Sequence, residues 1–266
     1  MVSTDTSKDV LLGELIEGVS RAIDMHTHRW FFPFTQTNWY TPGTPGGNTP
    51  AYASELLVDD LLSVTTLTTD QDGDDVYETT WAGTDYTLGP YNAASAPNIP
   101  GPYYEIKVLP YGHFRFPVWP RAVAVSGTWG YYNVLETALA TLGAAISTTT
   151  ATTITLSAAP DVGTGQTLLI DSEQLFISAL TGTTATVVRG VNGTTAATHL
   201  NGAAIQVQTY PSITDACLFQ VGLDYIAAES GGEVRGGGQF ASTVPGGGLH
   251  PFAQRRVAPF VRDAFG

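Results

Sequence analysis

Phe, Trp and Tyr make up 11% of the chain, yet Phe176 is the one aromatic residue in 133–209. That stretch is rich in Thr, Ala and Gly and reads as repeated strand–turn pairs. "TTITLSA" (152–158), "QTLLID" (166–171), "EQLFISAL" (173–180), "TATVVRG" (184–190) and "AAIQVQTY" (203–210) give about five strands on short Gly-rich connections. A segment of this kind predicts a small self-contained β-module. Its lead, "NVLETALATLGAAI", reads as weakly helical or coiled.

The flanks have another texture. Over 8–31, Leu12, Leu15, Ile16, Val19, Ala22, Ile23, His26 and Trp30 recur every three or four residues, opposite Glu14, Glu17, Arg21 and Asp24. This predicts an amphipathic helix with Ser7 as cap and Pro33 as the stop. From 34 to 126, strands are expected near 35–41, 61–69, 76–81, 85–88, 103–109 and 121–126, separated by clusters such as "TPGTPGGNTP" (41–50) and "NAASAPNIPGP" (92–102). "PSITDACLFQVGLDYIAAES" (211–230) predicts a second helix, apolar nearly all round, which must be covered on several sides. Either the β-part and the first helix supply that cover, or a neighbouring subunit shares it, with Leu218, Phe219 and Tyr225 then in a subunit contact. Residues 231–248 are spacer-like in composition. Within 249–266, Phe252, Phe260 and Phe265 lie beside Arg255, Arg256 and Arg262, which reads as a docking segment on a tether.

A net charge of −13 argues against gripping a nucleic-acid backbone, which needs clustered Lys and Arg. It does not exclude a surface that DNA passes without sticking. Cys217 is the single cysteine, so no internal disulfide forms, and its apolar surroundings suit a buried thiol. No run approaches the ~18–20 apolar residues of a membrane span, and "MVSTDTSKDV" lacks the basic start and apolar stretch of a signal peptide. The expected site of synthesis is the cytoplasm.

No chemistry-bearing motif stands out. His26 and His28, two apart on a helix, point roughly 200° from each other and cannot share one ion. "DQDGDDVYE" (70–78) superficially resembles a calcium loop, but counting from Asp70 places glycine fourth and Trp81 twelfth. It reads better as a hairpin turn. No nucleophile elbow or phosphate loop is found. The expectation is a protein that is not an enzyme, with no cofactor and no metal.

One stretch sets the remaining question. "AVAVSGTWGYY" (122–132) ends a strand at a glycine-hinged corner. In order, the chain has "HRWFFP" closing the first helix, then "ELLVDDLLSVTTLTTD", "DYTLGPYN" and "RAVAVSGTWGYY". Over about 8–132 and 211–228 this resembles the head–tail connector, or adaptor, proteins of tailed bacteriophages. In that family the corner leads almost directly into the last helices; here "PSITDACLFQ" follows nearly eighty residues later. The interruption is itself similar to a module recurring in phage virion proteins, with the hallmark "RGVNGTTAA.H..G" at Arg189–Gly202.

The resemblance implies an α+β fold: a helical connector core, with N- and C-terminal helices packed on a β-rich middle, an inserted all-β domain and an extended C-terminal tail. The divisions are 1–132 (core, first part), 133–209 (insert), 210–230 (closing helix) and 231–266 (spacer and tail). Gly127, Trp129, Gly130 and Tyr131 form the structural corner, with Trp129 set against both helices. The implied function is a ring, commonly of twelve subunits, at the virion neck between the portal protein and the tail terminator or stopper. Genome DNA crosses it without specific binding, 133–209 offers a capsid contact, and no membrane is involved. The tail would dock on portal or a neighbour through Phe252, Arg255, Arg256, Phe260, Arg262 and Phe265. The alternative is a surface or secreted β-rich adhesin with a carbohydrate-binding insert.

Overall fold

The computed structural model describes residues 8–43, 52–93, 101–111, 114–131, 134–158, 162–210, 213–229 and 248–262. They form two compact units, 1–30 with 210–266, and 31–209. Among the described residues 39% lie in strands and 23% in helices, so β-sheet and not helix builds most of the protein. The expected helical connector core is thereby corrected. The reason lies in strand length: the run read as 61–69 begins at Glu55, and its fifteen residues are long enough to pair on both sides.

Among the described residues, the larger unit holds two six-stranded antiparallel sheets and a short ribbon. The first sheet contains β1 (Phe34–Tyr40), β3 (Glu55–Thr69), β4 (Thr79–Thr80), β5 (Tyr86–Gly89), β6 (Tyr103–Val108) and β8 (Val123–Trp129). Its order is β1-β8-β3-β6-β5, with β4 also on β3. Buried residues alternate with exposed ones along the start of β3, giving one face, Leu56 and Val58 among them, to a core shared with Ile106, Val125 and Trp129. The ribbon pairs β2 (Tyr52–Ala53) with β7 (Phe116–Pro117).

The second sheet contains β9 (Val134–Thr141), β10 (Thr153–Thr155), β11 (Thr167–Ile170), β12 (Glu173–Thr181), β13 (Thr184–Val188) and β14 (Ala204–Thr209), in the order β10-β13-β12-β11-β14-β9. The chain enters on β9 and leaves on β14, and these two strands are neighbours. Leu142, Leu168, Ile170, Leu175, Ile177 and Ile205 pack a separate core. The segment read as weakly helical is therefore strand. Ala138 and Ala140, at period two, turn into the core, and pairing with β14 overrides the helix preference of "LETALA".

The smaller unit is helical. Helix α1 (Asp9–Thr27) stops earlier than Pro33 would require. Thr27 bonds back to the carbonyls of Ile23 and Asp24, and His28 turns left-handed, its N–H closing on Asp24. The buried stripe is Val19, Ile23 and Thr27; His26, placed on the apolar side by its spacing, is exposed. Helix α2 (Thr214–Glu229) packs on α1, where Ser20 Oγ and Cys217 Sγ lie 3.8 Å apart. Helix α3 (Pro251–Val257) packs on α2. Ser7, read as the cap of the first helix, and residues 211 and 212, at the start of the second predicted one, lie outside the described residues, as does the spacer from 231 to 247.

The expected extended tail is corrected as well. Leu249, Ala253 and Val257 are buried, Arg29 Nε donates to the Phe260 carbonyl at 2.6 Å, and the Arg262 N–H donates to Thr27 O at 2.9 Å. A segment with an apolar residue every four positions folds onto an available helix rather than staying extended.

Candidate functional site

The most organised polar cluster lies in the second sheet and uses the hallmark residues. Glu173, first in β12, is fully buried, and burial alone would push its carboxyl pKa upward. Arg189 overrides this through Nε at 2.6 Å and Nη2 at 2.7 Å, aided by the Ala197 N–H at 2.9 Å and His199 Nε2 at 2.8 Å, holding the carboxyl down to about 2. The Gly190 N–H adds a fifth bond, at 3.1 Å. Arg189 also donates to the carbonyls of Thr148, Ala151 and Ala197. Its fork therefore ties the loop before β10 to the segment after β13.

The cluster continues outward. His199 is 3% exposed, and its Nδ1 lies 2.7 Å from Asp171 Oδ2. Both ring nitrogens thus face carboxylate oxygens, and both contacts are hydrogen bonds only when each nitrogen carries a hydrogen. Asp171 sits in the turn between β11 and β12 at φ 54° with its side chain exposed. Arg189, Glu173, His199 and Asp171 form a chain of charge-assisted contacts running from the module's core to its surface.

Asp171 lies on the rim of a pocket of about 200 Å³ where the two sheets of the larger unit meet. Thr35 and Thr128 come from β1 and β8; Thr167, Gln174 and Gln208 come from β11, β12 and β14. The joint is close-packed. Gln174 Nε2 donates to the Pro33 carbonyl at 3.1 Å, and Asn192 Nδ2 donates to Gln174 Oε1 at 2.8 Å. Gly193 lies at φ 77°, and a Cβ there would collide with the Thr35 carbonyl. Only glycine fits.

The acidic loop lies between β3 and β4. Asp70, 2% exposed, accepts from the N–H groups of Asp72, Gly73 and Asp75 at 3.1, 2.7 and 3.0 Å. Burial raises its pKa, but those backbone donors outweigh the effect and lower it. Oxygens of Asp70, Asp72, Asp74 and Glu78 lie within 4.8 Å of one another, and Asp74 beside Asp72 raises the pKa of Asp72. The loop is a turn held by one buried carboxylate, with three exposed ones gathered round it.

The residues singled out by sequence divide as follows. Trp129 is 1% exposed; its Nε1 donates to the Gln36 carbonyl at 3.0 Å and its ring lies 6.0 Å from Tyr40. Both partners belong to β1. A Cβ on Gly127 or Gly130 would meet the carbonyl of Ser63 or Phe32, and Tyr131 meets Phe31 edge-on at 5.8 Å. On α2, Leu218 is exposed and Tyr225 half-buried, while Phe219 turns inward onto Phe252 at 4.3 Å and His250 at 5.4 Å. Arg256 lies over the Phe252 ring, Arg255 is exposed, Phe260 and Arg262 are half-buried, and Phe265 lies outside the described residues.

The sequence reading missed Asp171, Glu173 and Gln208. The signal available was the hallmark itself, which places Arg189 and His199 in one loop with no partner for either. Comparisons with protein-family models, curated proteins and solved structures find no match to this chain.

Proposed function

We propose that the protein is a structural virion subunit forming a ring at the head–tail interface of a tailed bacteriophage, between the portal protein and the tail terminator or stopper. The observation that carries this is the order of four segments, "HRWFFP", "ELLVDDLLSVTTLTTD", "DYTLGPYN" and "RAVAVSGTWGYY", before a closing helix. Apolar side chains left in solvent on two helices support it. Val10, Ile16 and Met25 on α1 and Leu218 and Ile226 on α2 are exposed, as a subunit that completes its packing in an assembly leaves them. Leu218 and Ile226 are eight apart and share one face of α2.

A net charge of −13 suits a passage that repels DNA phosphates. The exposed guanidinium groups of Arg255 and Arg256 suit an acidic partner surface. The test is negative-stain imaging of purified cognate portal rings mixed with the full chain. An added ring of density on one portal face supports the reading, and its loss in Leu218→Glu/Ile226→Glu assigns the contact to α2. Portal rings that stay bare with the unaltered chain refute it.

A further inference from the structure

We propose that the pocket between the two sheets of the larger unit binds a single uncharged, hydroxyl-rich ring of hexose size, such as one unit of a glycan. Its volume of about 200 Å³ falls below the roughly 300 Å³ of drug-sized sites. That size suits one sugar ring.

The lining sets the chemistry. Thr35, Thr128 and Thr167 supply hydroxyl groups, Asp171 a carboxylate and Gln208 an amide, while the Gln174 amide is taken by Pro33 and Asn192, and no Lys or Arg lines the pocket. A phosphate or carboxylate ligand would meet Asp171 with no cation to offset it, so an anion is disfavoured. A sugar hydroxyl both donates and accepts, which matches a wall of hydroxyls, one acceptor and one donor.

Two observations mark the pocket as a built site. Gln208 is 6% exposed, and its Nε2 is buried with no hydrogen-bond partner among the described residues. A buried amide donor without an acceptor is costly, and a turn of the Gln208 side chain toward the pocket would let a ligand oxygen remove the cost. Asp171, in turn, is not a loose surface carboxylate. His199 holds it at 2.7 Å, Glu173 holds His199 at 2.8 Å, and Arg189 holds Glu173 at 2.6 Å. An acceptor fixed beforehand loses less freedom when a ligand arrives. The module's core needs Glu173 and Arg189 for its own loops; it has no such need of a fixed Asp171 at the rim.

The test is saturation-transfer NMR on the full chain with free glucose, galactose, mannose and N-acetylglucosamine, each titrated separately. At least one sugar should bind with a Kd on the order of 1 mM, since so small a ligand forms few contacts. Gln208→Glu, which turns the buried donor into an acceptor, should weaken it roughly tenfold. Should that variant misfold, Thr35→Val, on an exposed position of the edge strand, should weaken binding about two- to fivefold while the fold is kept. No saturation transfer to any of the four sugars overturns the proposal, as does binding indifferent to both substitutions. Portal binding is read separately, so either result stands apart from the ring assignment.

Discussion

Changing Glu173 to Gln keeps the side chain's size and removes its charge. Five donors converge on that carboxylate: two from Arg189, the Gly190 and Ala197 N–H groups, and His199. An amide has one acceptor oxygen, so whichever way it turns, its NH2 faces at least two donors, and Arg189 is left buried without a counter-charge. Breaking a buried pair on one side costs about 3–5 kcal/mol. The carboxyl's shift from 4.5 to about 2 gives a second route, worth about 3 kcal/mol at ~1.36 kcal/mol per tenfold.

The assay is urea denaturation of both proteins at pH 7 by far-UV circular dichroism, with thermal melts alongside. The strand transition should fall by about 10 °C. The pH dependence has a definite sign. Glu173 titrates lower when folded than unfolded, so its contribution is complete above pH 4.5 and is lost as pH falls toward 2. The unaltered protein should lose about 3 kcal/mol across that window and Glu173→Gln much less. A cost below about 1 kcal/mol at pH 7 would show that the apolar core alone holds the sheet and refute the reasoning.

Gly193→Ala should destabilise the larger unit by about 1–3 kcal/mol, since it strains a positive φ and drives a methyl into the Thr35 carbonyl; urea midpoints measure it. Trp129→Phe keeps an aromatic ring but strands the Gln36 carbonyl, and should cost about 1–2 kcal/mol by the same measurement. Ending the chain at residue 248 removes buried Leu249, Ala253 and Val257 and should cost the helical unit about 3 kcal/mol or more, read from the helix signal at 222 nm. Arg255→Ala, on an exposed position of α3, should stay within about 0.5 kcal/mol of the unaltered protein, so it tests portal docking without confounding the fold.

The strands of the larger unit were legible wherever alternation or turn residues bounded them. The 61–69 part of β3 and the Gly-rich hairpins of 152–190 announce themselves by period and punctuation; the Glu55 start of β3, with Leu56 and Val58 on its buried face, was missed because the buried Asp60 breaks the apolar alternation. What escaped was set by partners distant in sequence. "NVLETALATLGAAI" carries helix-forming residues, and only its pairing with β14 makes it strand. The 249–262 segment looks like a tether-borne tip because its apolar residues gain meaning only against Phe219 and Thr27. The site escaped for a similar reason. Arg189 and His199 were visible in the hallmark, but their counter-charges come from the β11–β12 corner, and Gln208 acquires its unpaired donor only when β14 closes the pocket.

The ring assignment is tested most directly by particle mass in solution, using mass photometry on the full chain alone and then with its cognate portal protein. The account predicts portal particles heavier by a ring of 28.1 kDa subunits. Portal particles of unchanged mass, beside a chain that stays monomeric, would contradict it.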